Sequence, residues 1–221
     1  MQLVKPANNP CHRKRILQRI NIGDEVLPYY ALSHLWGISK AHPCMWDIGD
    51  YVDDINGEPA APVSMRPEKR QTLIALLQKH PDSYWWIDVL CARSDTPLAM
   101  MSDIYGCCHQ CYAMIDCERE IISKVDWMAQ LLRQEKLGHR TVDQYNEAVD
   151  ILNTFTKTSW WKRVWTWQEV VLPKKVILMA EASSSHTVLN IDAVIYLYKD
   201  LVLWGSYSIA GTCGIYRAAD T

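Results

Sequence analysis

Phenylalanine is almost missing: one residue in 221, beside ten tryptophans and eleven tyrosines. No apolar run approaches the length needed to span a bilayer, which excludes a membrane-spanning reading. Charge of one sign is also missing. Lys and Arg total 23 against 25 Asp and Glu, a net of −2, and a dedicated nucleic-acid binder would carry a strong basic excess. The only basic run, His12-Arg13-Lys14-Arg15, is too short for more than a solvated edge, with nuclear targeting a weaker option. Residues 1–10 contain no apolar stretch of the kind found in secretory signals. The eight cysteines therefore read as free thiols of a reduced, cytoplasmic protein, not as a disulfide framework.

What is present is enough apolar material for a core, 49% of residues, in a length that suits one large domain. We expect a single domain over 1–221. Residues 15–20 and 29–35 read as strands. Residues 38–65, with Pro43, Gly49, Gly57, Pro59 and Pro62, read as a long loop insertion. Leu73, Ile74, Leu76 and Leu77 set a helical face over 67–80. The run YWWIDVLC over 84–91 suits one strand buried on both faces. Thr96 and Pro97 read as a helix cap and first position, and Tyr112 to Ile115 reads as a strand. Two helices follow. Ile121, Val125, Met128 and Leu132 line the first, and Val142, Tyr145, Val149 and Leu152 line the second. A turn and helix over 159–172, a strand over 176–180 and a C-terminal helical extension over 182–221, with its helix at 192–204 capped by Asn190, complete the chain. Strands alternating with helices predict an α/β three-layer sandwich on a mainly parallel sheet, with extra helices. In such sheets ligands bind beyond the carboxyl ends of the strands. That singles out 33–37, 88–94 and the loop before Trp165.

Three segments carry a resemblance. They are Ala31-Leu32-Ser33-His34-Leu35-Trp36-Gly37, Trp86-Ile87-Asp88-Val89-Leu90-Cys91, and Trp161 to Glu169. They resemble the ALSYxWG, WIDxLC and WFxRxWxxQE motifs of the fungal heterokaryon incompatibility (HET) domain. Order and spacing agree from Arg15 to about Ala180. His34 stands where the family usually has an aromatic, and Ala92-Arg93-Ser94 replaces its Ile-Asn-Gln. HET domains are distantly similar to Toll/interleukin-receptor (TIR) domains, which have a flavodoxin-like fold. Some TIR domains cleave NAD+ with one helical Glu in a Trp-Cys-x-x-Glu pattern.

The resemblance implies a cell-death or self/non-self effector of innate-immune type. Such an effector hydrolyses NAD+ when it self-associates, with signalling proteins as further partners. It places the catalytic carboxylate on Glu169, four residues after Trp165 and on the same helical face. Cleaving the nicotinamide–ribose bond builds positive charge on the ribose, which a carboxylate can stabilise. On the residues alone, the plainer reading comes first: Glu169 is a carboxylate that suits a helix N-terminus. Ser33, His34, Trp36 and Gly37 fall at a strand end and could line a nucleotide site. Asp88, inside an apolar strand, needs a partner such as Arg93 or Arg163. Arg163 suits a pyrophosphate, or is simply a solvated cation at a helix start. Trp165 could stack on a flat ring. The alternative is a non-enzymatic self-associating adaptor of the same fold.

No prosthetic group is expected, only NAD+ as substrate. Cys107, Cys108, His109, Cys111 and Cys117 invite a zinc reading, with Cys107 and Cys111 one helical turn apart. They lack a second CxxC pair, so buried free thiols fit better. Cys91 has no evident partner His and is a poor nucleophile. Seven tryptophans (36, 85, 86, 160, 161, 165 and 167) are expected around the crevice. Trp46, Trp127 and Trp204 are expected to pack elsewhere.

Overall fold

The computed structural model describes residues 2–4, 17–19, 28–36, 44–49, 51, 61–80, 83–92, 99–134, 141–182 and 187–217, with backbone alone at 2–4, 17–19 and 206–217. Nine strands and seven helices are described. In chain order they are β1 (Gln2–Val4), β2 (Leu17–Arg19), β3 (Tyr29–Ser33), β4 (Met45–Trp46), β5 (Val63–Ser64), α1 (Pro67–Lys79), β6 (Tyr84–Ile87), α2 (Asp88–Cys91), α3 (Met100–Cys107) and β7 (Gln110–Ile115). Then come α4 (Arg119–Gln134), α5 (Val142–Thr156), a 3-10 turn (Trp160–Lys162), α6 (Thr166–Val171), β8 (Val176–Ala180), β9 (Val188–Asn190) and α7 (Ile191–Arg217).

Seven strands form one sheet in the order β2-β1-β6-β3-β7-β8-β9. The central four, β6, β3, β7 and β8, are parallel, and antiparallel strands flank them. Taken in chain order, the parallel strands lie second, first, third, fourth across the sheet. That is the doubly wound, flavodoxin-like order, whose direction reverses between β3 and β7. β7 is buried at all six positions, as a strand covered on both faces must be.

Alternation along β3 assigns the two faces. On one face His80, capping α1, packs on Tyr30 and Tyr112. Lys69 of α1 donates to the Leu35 carbonyl beneath it. On the other face Tyr29 donates to the Ile104 carbonyl of α3 at 2.5 Å, and Ser33 meets α6.

Most expected elements stand where the pattern placed them. Four differ. The run 84–91 is a strand only to Ile87, and residues 88–91 turn one helical turn, closed by Ala92 N–H to the Asp88 carbonyl at 2.7 Å. Asp88 is thus a strand-end residue, not an interior one. In α5 Tyr145, Val149 and Leu152 pack on the core as expected and Ala148, Ile151 and Phe155 join them, while Val142 is 73% exposed. The C-terminal region is not wholly helical, because β9 pairs with β8 before α7 begins. Asn190 caps α7 as expected, accepting from the Asp192 N–H at 3.0 Å, but the helix runs through Gly205 to Arg217. Within 38–65, β4 and β5 form a two-stranded ribbon tied to α1 by Arg70, which donates to the Met45 and Met65 carbonyls. Thr96 and Pro97 lie outside the described residues, as do Gly37, Arg93 and Ser94.

The α5 correction is testable. Phe155 is fully buried with its ring edge-on to Trp161. Phe155→Ala should lower stability in urea unfolding by about 3–5 kcal/mol. Val142→Ala, on the face predicted from the pattern, should stay within about 0.5 kcal/mol.

Candidate functional site

Each parallel strand is followed at once by an ionisable residue: His34 after Ser33 in β3, Asp88 after β6, Asp116 after β7 and Glu181 after β8. Two buried networks grow from these ends, one on each face.

The first is centred on Glu169. Asp116 accepts the backbone N–H groups of Ser159 and Trp160, both at 2.9 Å, and so fixes the start of the 3-10 turn. Thr166 then donates to the Trp160 carbonyl at 2.5 Å, which joins that turn to α6. This brings Glu169 under Ser33. The Ser33 hydroxyl donates to Glu169 Oε2 at 2.5 Å and accepts from Trp160 Nε1 at 2.9 Å. Arg163 closes on the same carboxylate as a fork, with one nitrogen on each oxygen at 3.0 Å. Tyr105 of α3 lies at 3.5 Å from Oε1. Glu169 is 1% exposed, and the Arg163 side chain 18%. Burial raises the Glu169 carboxyl above its ordinary value, against the opposing pull of Arg163 and Ser33.

The second network is centred on Asp88. His34 Nε2 lies 2.9 Å from Asp88 Oδ1. Trp36 Nε1 donates to Oδ2 at 2.6 Å, and the Val89 N–H donates to Oδ1 at 2.7 Å. Burial works against this carboxylate, yet His34, Trp36 and the Val89 N–H together hold it below its ordinary value. Behind His34 stands Lys69, fully buried, with Nζ 3.4 Å from Nδ1 and 3.7 Å from Glu181 Oε2. Arg66 binds the other Glu181 oxygen at 2.8 Å. Burial lowers the Lys69 ammonium to about 8.

Strand alternation keeps the networks apart. Ser33 faces Glu169 and His34 faces Asp88, so Ser33, His34 and Asp88 do not form a nucleophilic triad. Of the residues named from sequence, Ser33, Arg163 and Glu169 meet in one cluster, and His34, Trp36 and Asp88 in the other. Trp165 is half-buried and accepts the Glu169 N–H at 3.2 Å through its carbonyl, one helical turn before it. Arg163 is not a solvated helix-start cation. It is the counter-ion of Glu169, because a carboxylate this deep requires one. Asp88 pairs with His34, not with Arg163.

Other expectations shift as well. Cys107 ends α3 and Cys111 lies in β7, so they are not one helical turn apart. Among the described residues no group of three His, Cys, Asp or Glu stands close enough to share a metal ion. Burial pushes the Cys108 thiol up to about 12. Of the seven tryptophans expected at the crevice, Trp36 and Trp160 enter the networks through their indole N–H groups. Trp85 instead stacks on Tyr30 and Tyr112 under α1, and Trp167 is 73% exposed. Trp204 packs edge-on to Tyr145, away from both networks.

The pattern reading missed Lys69, Tyr105, Asp116 and Glu181 as site residues. Asp116 and Glu181 carried a usable signal, since each is the first ionisable residue after an apolar strand. Lys69 carried none, sitting in a helix face whose other inward residues are Thr72, Leu73, Leu76 and Leu77.

The family model of heterokaryon incompatibility proteins matches residues 29–169, from the first residue of β3 to Glu169 itself. The chain belongs to the HET family. No curated protein and no solved structure matches it. Within this HET domain the matched span contains every member of the Glu169 cluster, and Glu181 alone of the second network lies beyond it. Among the described residues, no helix is long and apolar enough to cross a membrane.

Two measurements test the networks. Arg163→Met should cost about 3–5 kcal/mol by leaving Glu169 buried without its counter-ion. Adding Glu169→Gln should recover much of that loss in a double-mutant cycle. Lys69 gives a pH signature. Between about 8 and 10.5 the folded protein has released the Lys69 proton while the unfolded chain still holds it, so the contribution of this group to stability rises with pH, against the buried Cys108, Cys111 and Cys117 thiols, which keep their protons when folded and pull the other way. Lys69→Met should remove the Lys69 contribution, so its urea midpoint relative to wild type should be lower at pH 10 than at pH 8.

Proposed function

We propose that this HET protein is a cell-death effector of heterokaryon incompatibility that hydrolyses NAD+ at the Glu169 cluster once copies of it associate. The observation that supports this reading most is a carboxylate held at the switch point of a doubly wound sheet, buried and bonded to a strand-end serine.

In the proposed reaction the bond from the nicotinamide nitrogen to ribose C1′ breaks, and its electron pair leaves with nicotinamide. Water adds to C1′ and releases one proton, so NAD+ and water become ADP-ribose, nicotinamide and H+. Positive charge gathers on the ribose ring as the bond lengthens. Glu169, out of water, stabilises that charge more strongly than a solvated carboxylate would. Ser33 orients the carboxylate, and Trp165 precedes it on the same face. Trp36, 47% exposed with its indole N–H pinned to Asp88, presents a fixed ring for a flat base to stack on. His34 keeps Asp88 charged and in place for that role. Gly37 follows Trp36 where backbone would meet the nucleotide, and Arg163 would meet its pyrophosphate.

One observation favours the second reading, a non-enzymatic self-associating adaptor. Both Glu169 oxygens are already occupied by Arg163, and only 1% of the residue is exposed. The two readings separate in one assay. Wild-type protein, concentrated or artificially oligomerised, is incubated with NAD+ and nicotinamide release is followed. The enzymatic reading predicts release that falls at least about 100-fold in Glu169→Gln. Equal release from both proteins leaves the adaptor.

A further inference from the structure

Arg163 and Glu169 are not symmetric partners. Glu169 would keep a neutral donor on each oxygen. If the guanidinium withdrew, the Ser33 hydroxyl at 2.5 Å and the Tyr105 hydroxyl at 3.5 Å would remain on its two oxygens. Arg163 has no such reserve, since its side-chain hydrogen bonds among the described residues all go to Glu169. It is also the member nearer to solvent, 18% exposed against 1%. It lies at the end of the 3-10 turn in extended backbone (φ −76°, ψ 141°), outside the helix that carries Glu169. The more accessible group is therefore the one that needs a replacement anion before it can leave.

Chemistry narrows what that anion is. A guanidinium fork binds a phosphate with the same paired geometry it uses on a carboxylate. A pyrophosphate brings two negative charges, where a neutral sugar or an uncharged nucleoside brings none. We propose that Arg163 is a phosphate-operated latch on Glu169: a pyrophosphate-bearing nucleotide takes the guanidinium, and only then is the carboxylate free to face a ribose. The inference rests on the NAD+ reading above and narrows its substrate class. Phosphorylated dinucleotides open the site, and nucleosides lacking phosphate do not.

The latch makes a prediction that a merely structural ion pair does not. Glu169 competes with the ligand for Arg163, so removing the carboxylate charge should tighten phosphate binding. ADP-ribose is the probe, titrated calorimetrically against wild type, Glu169→Gln, Arg163→Gln and the double variant. Glu169→Gln should bind it at least about tenfold more tightly than wild type. Arg163→Gln and the double variant should both lose that binding. The double variant retains a neutral, similarly shaped pair, so it serves as the folded reference if Arg163→Gln alone unfolds. Adenosine, uncharged and without phosphate, should bind wild type and Glu169→Gln alike. The latch is overturned if Glu169→Gln binds ADP-ribose no more tightly than wild type, if the double variant binds like Glu169→Gln, or if none of the four binds. ADP-ribose is not hydrolysed, so the outcome is independent of catalysis. Tightening without nicotinamide release from NAD+ keeps the latch and removes the hydrolysis. Release without tightening does the reverse.

Discussion

A carboxylate almost wholly removed from water must be satisfied by its surroundings, and in this molecule that requirement links elements far apart in sequence. Glu169 takes its donors from the end of β3, from the turn before α6 and from α3. The turn itself is held by Asp116 beyond β7, and Trp160 closes the circle on Ser33. Loss of Arg163 with nothing in its place leaves that charge without a counter-ion where its solvation is poor. The register of β3 against β7 and the approach of α6 to the sheet are therefore constrained by one ionised group as much as by apolar packing.

The opposite face repeats the logic with other residues. Asp88, His34, Lys69, Glu181 and Arg66 follow one another in a chain of polar contacts from the strand ends out to a half-exposed arginine. Buried ion pairs of this kind seldom improve on an apolar core of the same shape. Their position at the carboxyl ends of parallel strands, where doubly wound sheets hold ligands, gives them a functional reading. The two networks differ in how they hold their carboxylates: Asp88 is pulled down by its donors, whereas burial keeps Glu169 raised.

How much of this was legible in the sequence depended on the kind of signal. Strongly periodic or uniformly apolar segments, such as 67–80 and 176–180, were read nearly to their ends because local pattern decides them. The strand end at Ile87 was not, because the apolar run continues into α2 and only the bonds made by Asp88 mark the change. On α5 Tyr145, Val149 and Leu152 pack on the core as read, but Val142 at the first turn faces outward and Phe155 at the last turn, which meets Trp161, was not picked out. Ser33, Asp88 and Glu169, which the structure places in the two networks, were singled out through motif residues. Arg163 was found but left between two roles, since a pairing across six residues through a non-helical turn has no spacing rule. Lys69 was invisible, because a lysine in a helix normally faces water and its burial here follows from tertiary contacts with Leu35 and His34.

If Arg163 shuts a working carboxylate at Glu169, a crystal structure with ADP-ribose will show it opened: the pyrophosphate on the Arg163 guanidinium, the Arg163–Glu169 contacts lengthened well beyond 3.0 Å, and the ribose facing Glu169. A structure in which the nucleotide binds elsewhere while the Arg163–Glu169 fork stays closed would contradict it.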